Sequence, residues 1–198
     1  TKMEALQSQM NPHFIFNAMN SIQNYIIDNN TDDALMYMGE FSKLIRQTLN
    51  NSSKTKISLL EEIQYLQSYV LLENMRFKKK INFELSIEDD VDMFETEIPP
   101  MLIQPFLENA FIHAFDSFSV NPKLSLSFTI QNNNLIIMIK DNGKGLAVEN
   151  LKKLTESKGI KLAKERISLF QPNENDSISI TSEIDKGTII TLRISKQV

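Results

Sequence analysis

Apolar residues recur every three or four positions through most of the first 80 residues, which is the spacing of amphipathic helices. Two apolar stripes are separated by the polar run 28–33, in which Thr31 is predicted to cap the second helix. We predict that the two helices form a hairpin. Because one hairpin cannot cover both stripes, a dimeric four-helix bundle is the natural way to bury them. The stripes comprise Ile15, Met19, Ile22 and Ile26, followed by Leu35, Met38, Phe41, Ile45 and Leu49.

A third helix is predicted after this hairpin. Ser58 and Glu61 are three positions apart, which is the spacing of a capping box. The apolar side of the predicted helix comprises Leu59, Ile63, Leu66 and Val70. We therefore expect 1–80 to be a helical region that serves for dimerisation.

From residue 81 the apolar period changes to two, which indicates strands. A half-buried strand is predicted over 81–87, and 101–115 reads as a helix with Pro105 near its start. Alternation from Leu124 to Gln131 and the apolar run Leu135–Ile139 predict a hairpin around the asparagines at 132–134. Two more strands are predicted over 177–183 and 188–195. We predict an α+β chain in which the helical hairpin of 1–80 precedes an α/β sandwich formed by 81–198.

Composition narrows the possible functions. The chain of 198 residues is 41% hydrophobic and 23% charged, which is ordinary for a protein that buries a core. A formal net charge of −4 gives no electrostatic reason to expect nucleic acid or an anionic membrane as a partner. The absence of cysteine excludes disulfides and thiolate metal sites. No apolar run approaches the ~18 residues that span a bilayer, and because helical pattern begins at Thr1 we expect a fragment of a longer protein.

His13 is one of only two histidines. On a helix it projects away from the first apolar stripe, on the same face as Asn17, Asn20 and Asn24. An exposed imidazole is mostly neutral near pH 7 and can act as a nucleophile. Taken alone, a histidine on a polar helix face is more often a surface residue without a role.

The residues around His13 favour a functional role. Positions 6–22 read LQSQMNPHFIFNAMNSI, which closely resembles the phosphoacceptor box of LytS-like sensor histidine kinases. The resemblance implies that His13 is the residue that becomes phosphorylated. It also implies that the amide of Asn17 orients the imidazole or a water molecule.

Two later segments carry polar residues suited to a nucleotide. Asn109 and His113 are four positions apart and share a helix face, and an amide oxygen is a suitable ligand for Mg²⁺. The carboxylate of Asp141, at a strand end, could accept the exocyclic amine of adenine. Gly143 and Gly145 permit a turn and a close backbone approach. The alternative for the segment with Asn109 is the polar rim of a half-buried helix. The alternative for the segment that follows Asp141 is an ordinary turn.

In order along the chain, these segments resemble the nucleotide-binding boxes of the histidine kinase and gyrase/Hsp90-type ATPase superfamily. The resemblance covers about 81–198 and implies ATP and Mg²⁺ as cofactors, Asn109 as the metal ligand and Asp141 as the adenine reader. It implies Glu108 as an orienting or proton-relay residue and 142–160 as a lid over ATP. No Walker-type phosphate loop occurs in the sequence.

The chain departs from that pattern in its second glycine box. Gly159 is retained, whereas Ser157 and Leu162 occupy the other two positions of the box. Ile112 stands where many of these kinases have a phosphate-contacting lysine. The missing positive charge could come from Lys158, Lys161 or Arg166. Of these three, we count Lys161 among the predicted nucleotide-binding residues.

The resemblance implies the cytoplasmic core of a bacterial sensor histidine kinase. Such a core phosphorylates its own histidine, here His13, and passes the phosphoryl group to an aspartate of a response regulator. It also implies a homodimer attached to the membrane only through an upstream sensor region. The alternative is a degenerate kinase that binds nucleotide and acts as a dimerisation scaffold, which the eroded glycine box favours. An ATP-hydrolysing machine is discounted, because Pro105 occupies the position of its water-activating glutamate.

Overall fold

The computed structural model describes residues 12–77, 80–116, 119–172 and 177–195, with the side chains of Pro12 and His13 excepted. Contacts divide the chain into two compact units. The first comprises the described residues of Thr1–Thr55 and Glu61–Lys80, and the second comprises Lys56–Leu60 with the described residues of Ile81–Val198. The contacts therefore group one short segment, five residues long, with the later part of the chain.

Three helices build the first unit, namely α1 (Pro12–Ile27), α2 (Thr31–Asn51) and, apart from its first two residues, α3 (Leu59–Arg76). Asn29 adopts a positive φ of 55° just after α1 ends. Asn30 then caps α2, because its side-chain oxygen accepts the backbone N–H of Asp33 at 3.4 Å. The prediction that Thr31 is the cap is wrong by one residue, since Thr31 is already helical.

The buried faces of α1 and α2 are not the predicted apolar stripes. The ring of Phe14 packs against the rings of Tyr69 and Phe41, with centroids 5.5 and 6.1 Å apart. Within this chain, four members of the stripes remain 46–63% exposed, namely Met19, Ile26, Leu35 and Met38. The residues buried instead on the two helices are Phe14, Ala18, Ser21, Ala34, Tyr37, Leu44, Thr48 and Asn51. On α3 the predicted apolar side is buried, as expected.

The second unit is built on a mixed sheet of five strands, β2 (Asn82–Ile87), β4 (Lys123–Gln131), β5 (Asn134–Asp141), β6 (Ile178–Glu183) and β7 (Gly187–Ser195). Their order in the sheet is β2-β4-β5-β7-β6. Its neighbours pair antiparallel except β2 and β4, which are parallel. Alternate residues are buried along β5, along β7 and along β4 as far as Phe128, which is the period of two expected for a strand with one buried face. The helices of this unit are α4 (Gln104–Asn109), α5 (Val148–Thr155) and α6 (Lys158–Phe170).

Turn chemistry explains the central hairpin. Asn132 and Asn133 both adopt positive φ, at 49° and 62°, and form the two-residue loop between β4 and β5. This is the geometry of the hairpin turns that match strand twist, and asparagine tolerates it well. The asparagine turn predicted from the sequence is present, and the chain has the expected α+β fold.

One small sheet has no counterpart in the predicted elements. β1 (Ile57–Ser58) pairs antiparallel with β3 (Glu97–Ile98). The backbone N–H of Leu59 also donates to the carbonyl of Thr96 at 2.7 Å. Strands of two residues are too short to show a period, so this pairing is invisible in the hydrophobic pattern.

Within the described part of the chain, no helix has the length and apolar character needed to cross a membrane.

Candidate functional site

A cleft of about 650 Å³ lies in the second unit. This volume is in the range typical of sites for small molecules and cofactors. Its walls come from the end of α4, the loop after β5, helix α5 and the start of β7. The polar and charged residues that line it include Asn109, His113, Asp141, Lys144, Lys153 and Thr188.

Asp141 is the buried acid of this cleft and is only 6% exposed. It ends β5 on the same face as Ile137 and Ile139, so the alternation that buries those side chains buries its carboxyl group too. Its Oδ1 accepts the backbone N–H groups of Gly143 and Thr188 at 2.9 and 3.3 Å. Burial raises the pKa of the Asp141 carboxyl, and the two N–H donors oppose part of that rise. Among the described residues nothing donates to Oδ2, which leaves this oxygen available to a ligand.

The helical segment that carries Asn109 changes its winding. α4 has Pro105 at its second position and continues directly into a π-helical turn, Ala110–Ala114. Such turns are rare and are often found at functional sites. Asn109 is half-buried and His113 is exposed, and both line the cleft. Glu108 is half-buried and lies outside the cleft lining.

Gly143 and Gly145 lie where two backbones approach each other closely. A Cβ on Gly143 would lie 2.2 Å from the carbonyl oxygen of Ala114, and one on Gly145 would lie 1.9 Å from that of Glu183. Gly145 also has a φ of +64°. The loop is held by Lys144, whose N–H donates to Ala114 and whose carbonyl accepts from Asp185, both at 2.9 Å. Both glycines are therefore needed for packing of the loop, whether or not a ligand is bound.

We expect Gly145→Ala to lower the free energy of unfolding by roughly 2–4 kcal/mol, because it adds a backbone clash to an unfavourable φ. Gly39 supplies a control, since it lies within α2 and a Cβ there would meet nothing within 4 Å. Gly39→Ala should raise stability by about 0.5–1 kcal/mol through helix propensity. Urea unfolding followed by circular dichroism measures both. Equal stability of the two variants would contradict the packing role of Gly145.

The second glycine segment is a capped helix start. The side chain of Ser157 accepts the N–H of Ile160 at 3.5 Å and caps α6. A Cβ on Gly159 would lie 3.2 Å from the Cβ of Pro105, so α6 packs closely on α4 at this point. Lys161 is exposed on α6 and does not line the cleft. The expected lid, 142–160, thus contains the loop after β5, helix α5 and the first turn of α6.

The cations of the cleft are not those suggested by the sequence. Arg166 donates from Nη1 to the carbonyl oxygen of Met101, and Lys158 is exposed outside the lining. Lys144 and Lys153 line the cleft instead. Sequence reasoning also missed Thr188, whose backbone holds Asp141 from a strand 47 positions away. No local pattern signals either feature, because both depend on how distant elements pack.

The predicted phosphoacceptor residue belongs to the other unit. His13 is the second residue of α1, but its side chain and residues 6–11 of the box lie outside the described part. Asn17 is half-buried, and its backbone carbonyl accepts the hydroxyl of Ser21 at 3.0 Å. Asn20 and Asn24 are exposed, as predicted for the polar face of this helix.

Comparison with known proteins finds sensor proteins and histidine kinases among the relatives of this chain. Residues 1–81 match the family model described as "Histidine kinase". Sensor protein LytS of Bacillus anthracis is 31% identical over all of this chain and 34% of the relative. Sensor protein kinase HptS of Staphylococcus aureus (strain USA300) is 31% identical over 79% of this chain and 29% of the relative. The chain therefore spans about a third of the length of the curated relatives it matches.

Solved structures agree on the fold. The histidine kinase domain of a blue-light activated histidine kinase from Erythrobacter litoralis superposes with a TM-score of 0.58, at 14% identity over 91% of both chains. The catalytic domain of the histidine kinase ThkA superposes with a TM-score of 0.51, at 20% identity over 71% of this chain and 95% of that one. The solved structures establish only the fold, whereas by sequence the chain belongs to the sensor histidine kinases that resemble LytS.

Proposed function

We propose that this chain is the catalytic core of a sensor histidine kinase, which binds ATP and transfers its γ-phosphoryl group to His13. The single observation that carries the proposal is the buried carboxyl of Asp141 in a cleft of nucleotide size. Two backbone N–H groups fix its Oδ1, and Oδ2 is left for a donor from a ligand. Family membership then makes ATP the expected ligand and a histidine the expected acceptor.

In this proposal Asp141 accepts a hydrogen bond from the exocyclic amine of adenine. Guanine has a carbonyl oxygen at the corresponding position and would be repelled by a carboxylate. The neighbouring wall is apolar, with Ile139, Leu146 and Ile190 available to contact the faces of the base. Gly143, Gly145 and Gly159 act indirectly, by letting the loop and α6 pack where they form the cleft.

Asn109 is the proposed protein ligand of Mg²⁺, and His113 one turn further on is a further contact to the nucleotide. Among the described residues no group of three or more histidine, aspartate or glutamate side chains is arranged to hold a metal ion. This donor set fits an ion that takes most of its ligands from phosphate and water, as Mg²⁺ commonly does. When bound, the ion would neutralise charge on the transferring phosphoryl group.

The transfer step involves few covalent changes. A ring nitrogen of His13 attacks the γ-phosphorus in line, the N–P bond forms, and the bond to the bridging oxygen breaks so that ADP leaves. The ring proton is released, for which Glu108 is the proposed relay, while Asn17 orients the imidazole. Catalysis in this scheme rests on positioning and charge neutralisation.

Residues 1–80 are the proposed dimerisation and phosphotransfer region, and 81–198 the proposed ATP-binding domain. Homodimerisation is supported by the apolar side chains that α1 and α2 leave exposed within one chain, Met19 and Met38 among them. Covering that surface would stabilise a dimer by removing apolar area from water. A second copy of the hairpin is the partner that a four-helix bundle requires.

We expect Met38→Glu to convert the dimer into a monomer, because a charge would be buried in the apolar seam. Met36 is a matched control, since it is similarly exposed but projects about 160° away around α2. Met36→Glu should leave the dimer intact. Light scattering during size-exclusion chromatography distinguishes the two masses. A monomeric wild-type chain, or equal effects of the two substitutions, would contradict this assignment.

The family further supports a response regulator as the partner, with an aspartate that receives the phosphoryl group from His13. Because the matched relatives are sensor proteins about three times as long, we propose that this chain is the cytoplasmic portion of a bacterial membrane protein.

Incubation of the purified chain with γ-labelled ATP and Mg²⁺ tests the proposal. Label that is lost in acid and kept in alkali would identify phosphohistidine, and peptide mapping should place it at His13. The rival function, a scaffold that binds nucleotide without transferring phosphate, is favoured by the altered glycine box at Ser157 and Leu162. Measurable ATP binding with no label would replace the kinase proposal by that scaffold.

A further inference from the structure

The proposed ATP site lacks a cation on α4 and its π-helical turn. The resemblance to histidine kinases leads us to expect a lysine at the position of Ile112, as many of those kinases have, and Ile112 is 43% exposed. A triphosphate carries several negative charges, so its affinity for a site depends on nearby positive groups. The charge must therefore come from another element of the fold.

Helix α5 presents one face to the cleft. Asn150, Lys153 and Leu154 all line it, and their spacing of three and four places them on one side of the helix. Lys153 forms no ion pair with any described residue, so its ammonium group is available to a ligand. Its neighbour Lys152 is exposed but does not line the cleft.

We propose that Lys153 binds the phosphates of ATP and replaces the cation that Ile112 does not supply. This inference rests on the proposed nucleotide site and assigns one more residue to it. The competing cations are less suited. Arg166 is bonded to the carbonyl of Met101, and Lys161 lies outside the cleft. Lys144 also lines the cleft, but it follows Asp141 by only three residues. It is therefore nearer in sequence than Lys153 to the residue proposed to bind adenine.

Phosphate binding by Lys153 can be tested without disturbing the fold. Within the described chain α5 has no buried residue, so a change of its exposed lysines should leave the fold intact. Lys152→Gln and Lys153→Gln change the net charge equally. They differ in whether the residue lines the cleft, which removes general electrostatics as an explanation for any difference.

Isothermal titration calorimetry of the full chain with ATP, ADP and adenosine, in the presence of Mg²⁺, tests the proposal. Lys153→Gln should weaken ATP binding roughly tenfold, as expected for loss of one charge-assisted contact. It should weaken ADP binding in the same direction and leave adenosine binding unchanged. Lys152→Gln should stay within about twofold of the wild type for all three ligands.

Three results would overturn the assignment. These are equal losses in the two variants, a loss of adenosine binding that matches the loss of ATP binding, or unchanged ATP binding in Lys153→Gln while Lys144→Gln loses it. Failure of the kinase proposal would give a different set of results. A chain that binds ATP but never labels His13 refutes the kinase, while the affinities still decide the role of Lys153. A wild-type chain that binds no ATP refutes both.

Discussion

Autophosphorylation is expected to disappear completely when His13 is replaced by glutamine. The amide of glutamine has a similar size and can donate and accept hydrogen bonds, but it has no nucleophilic ring nitrogen. Because His13 lies in α1 and the cleft lies in the other unit, ATP affinity should be unchanged. Incorporation of γ-labelled phosphate and calorimetric ATP binding, measured on the same preparation, report the two properties separately.

The second histidine of the chain supplies the control. His113 lines the cleft, so His113→Gln should weaken ATP binding and slow labelling at low ATP. At saturating ATP this variant should still form an acid-labile, alkali-stable phosphoryl group. Persistent label in His13→Gln, or its loss in His113→Gln even at saturating ATP, would show that the acceptor has been assigned to the wrong histidine.

The sheet unit shows how far local pattern carries a fold prediction. The alternation along β4 and the apolar run of β5 predicted the two strands, and the asparagines between them predicted the turn, because apolar pattern and turn chemistry are local properties. The parallel pairing of β2 with β4 joins segments about 40 positions apart. Its direction, and the small β1–β3 sheet, depend on long-range contacts that no local pattern encodes.

The helical unit shows why an apolar stripe does not reveal what covers it. The period of α1 was predicted, but Phe14 and Ala18 form its buried face, whereas Met19 and Ile26 remain exposed within the chain. Helix α1 has apolar residues around more than half of its circumference. The sequence therefore cannot tell which part meets α2 and α3 and which part would meet a second copy.

Some residues of the candidate site could be predicted from local pattern, and others could not. Asn109 and His113 reach one wall because residues four apart share a helix face, and Asp141 ends a strand whose alternation buries it. Thr188 reaches the cleft because β7 pairs with β5, and Lys153 reaches it because α5 forms another part of the wall. A single sequence contains no signal for these placements, and it drew attention to Lys161 and Arg166 instead.

Replacing Asp141 by asparagine is expected to weaken ATP binding by about a hundredfold or more. Asparagine can keep its side-chain oxygen at the position of Oδ1, where the N–H groups of Gly143 and Thr188 donate. Its NH₂ group then takes the place of Oδ2 and faces the exocyclic amine of adenine. Two donors would meet where the wild type pairs a donor with an acceptor, so binding should fail while the loop keeps its hydrogen bonds.

The stability of this variant should change in the opposite direction. Burial raises the pKa of the Asp141 carboxyl above its ordinary value of 3.8. A carboxyl whose pKa is higher in the folded state contributes stability fully below the unfolded-state pKa, and that contribution is lost as the pH rises through the folded-state pKa. At pH 7 the wild type therefore holds a charged, poorly solvated group. Asp141→Asn removes that charge and should be as stable as the wild type or more stable, with an advantage that shrinks on acidification toward pH 3.8.

Thermal unfolding between pH 4 and pH 7, together with calorimetric ATP binding, tests both halves of this prediction. Asp185→Asn is the matched control, because Asp185 also lines the cleft and has a positive φ of 62° that asparagine adopts readily. That variant should keep its ATP affinity within a few-fold of the wild type. If Asp141→Asn lost stability at pH 7 along with affinity, Asp141 would be a residue that holds the loop in place. Lost affinity with kept stability is expected only if Oδ2 contacts the nucleotide.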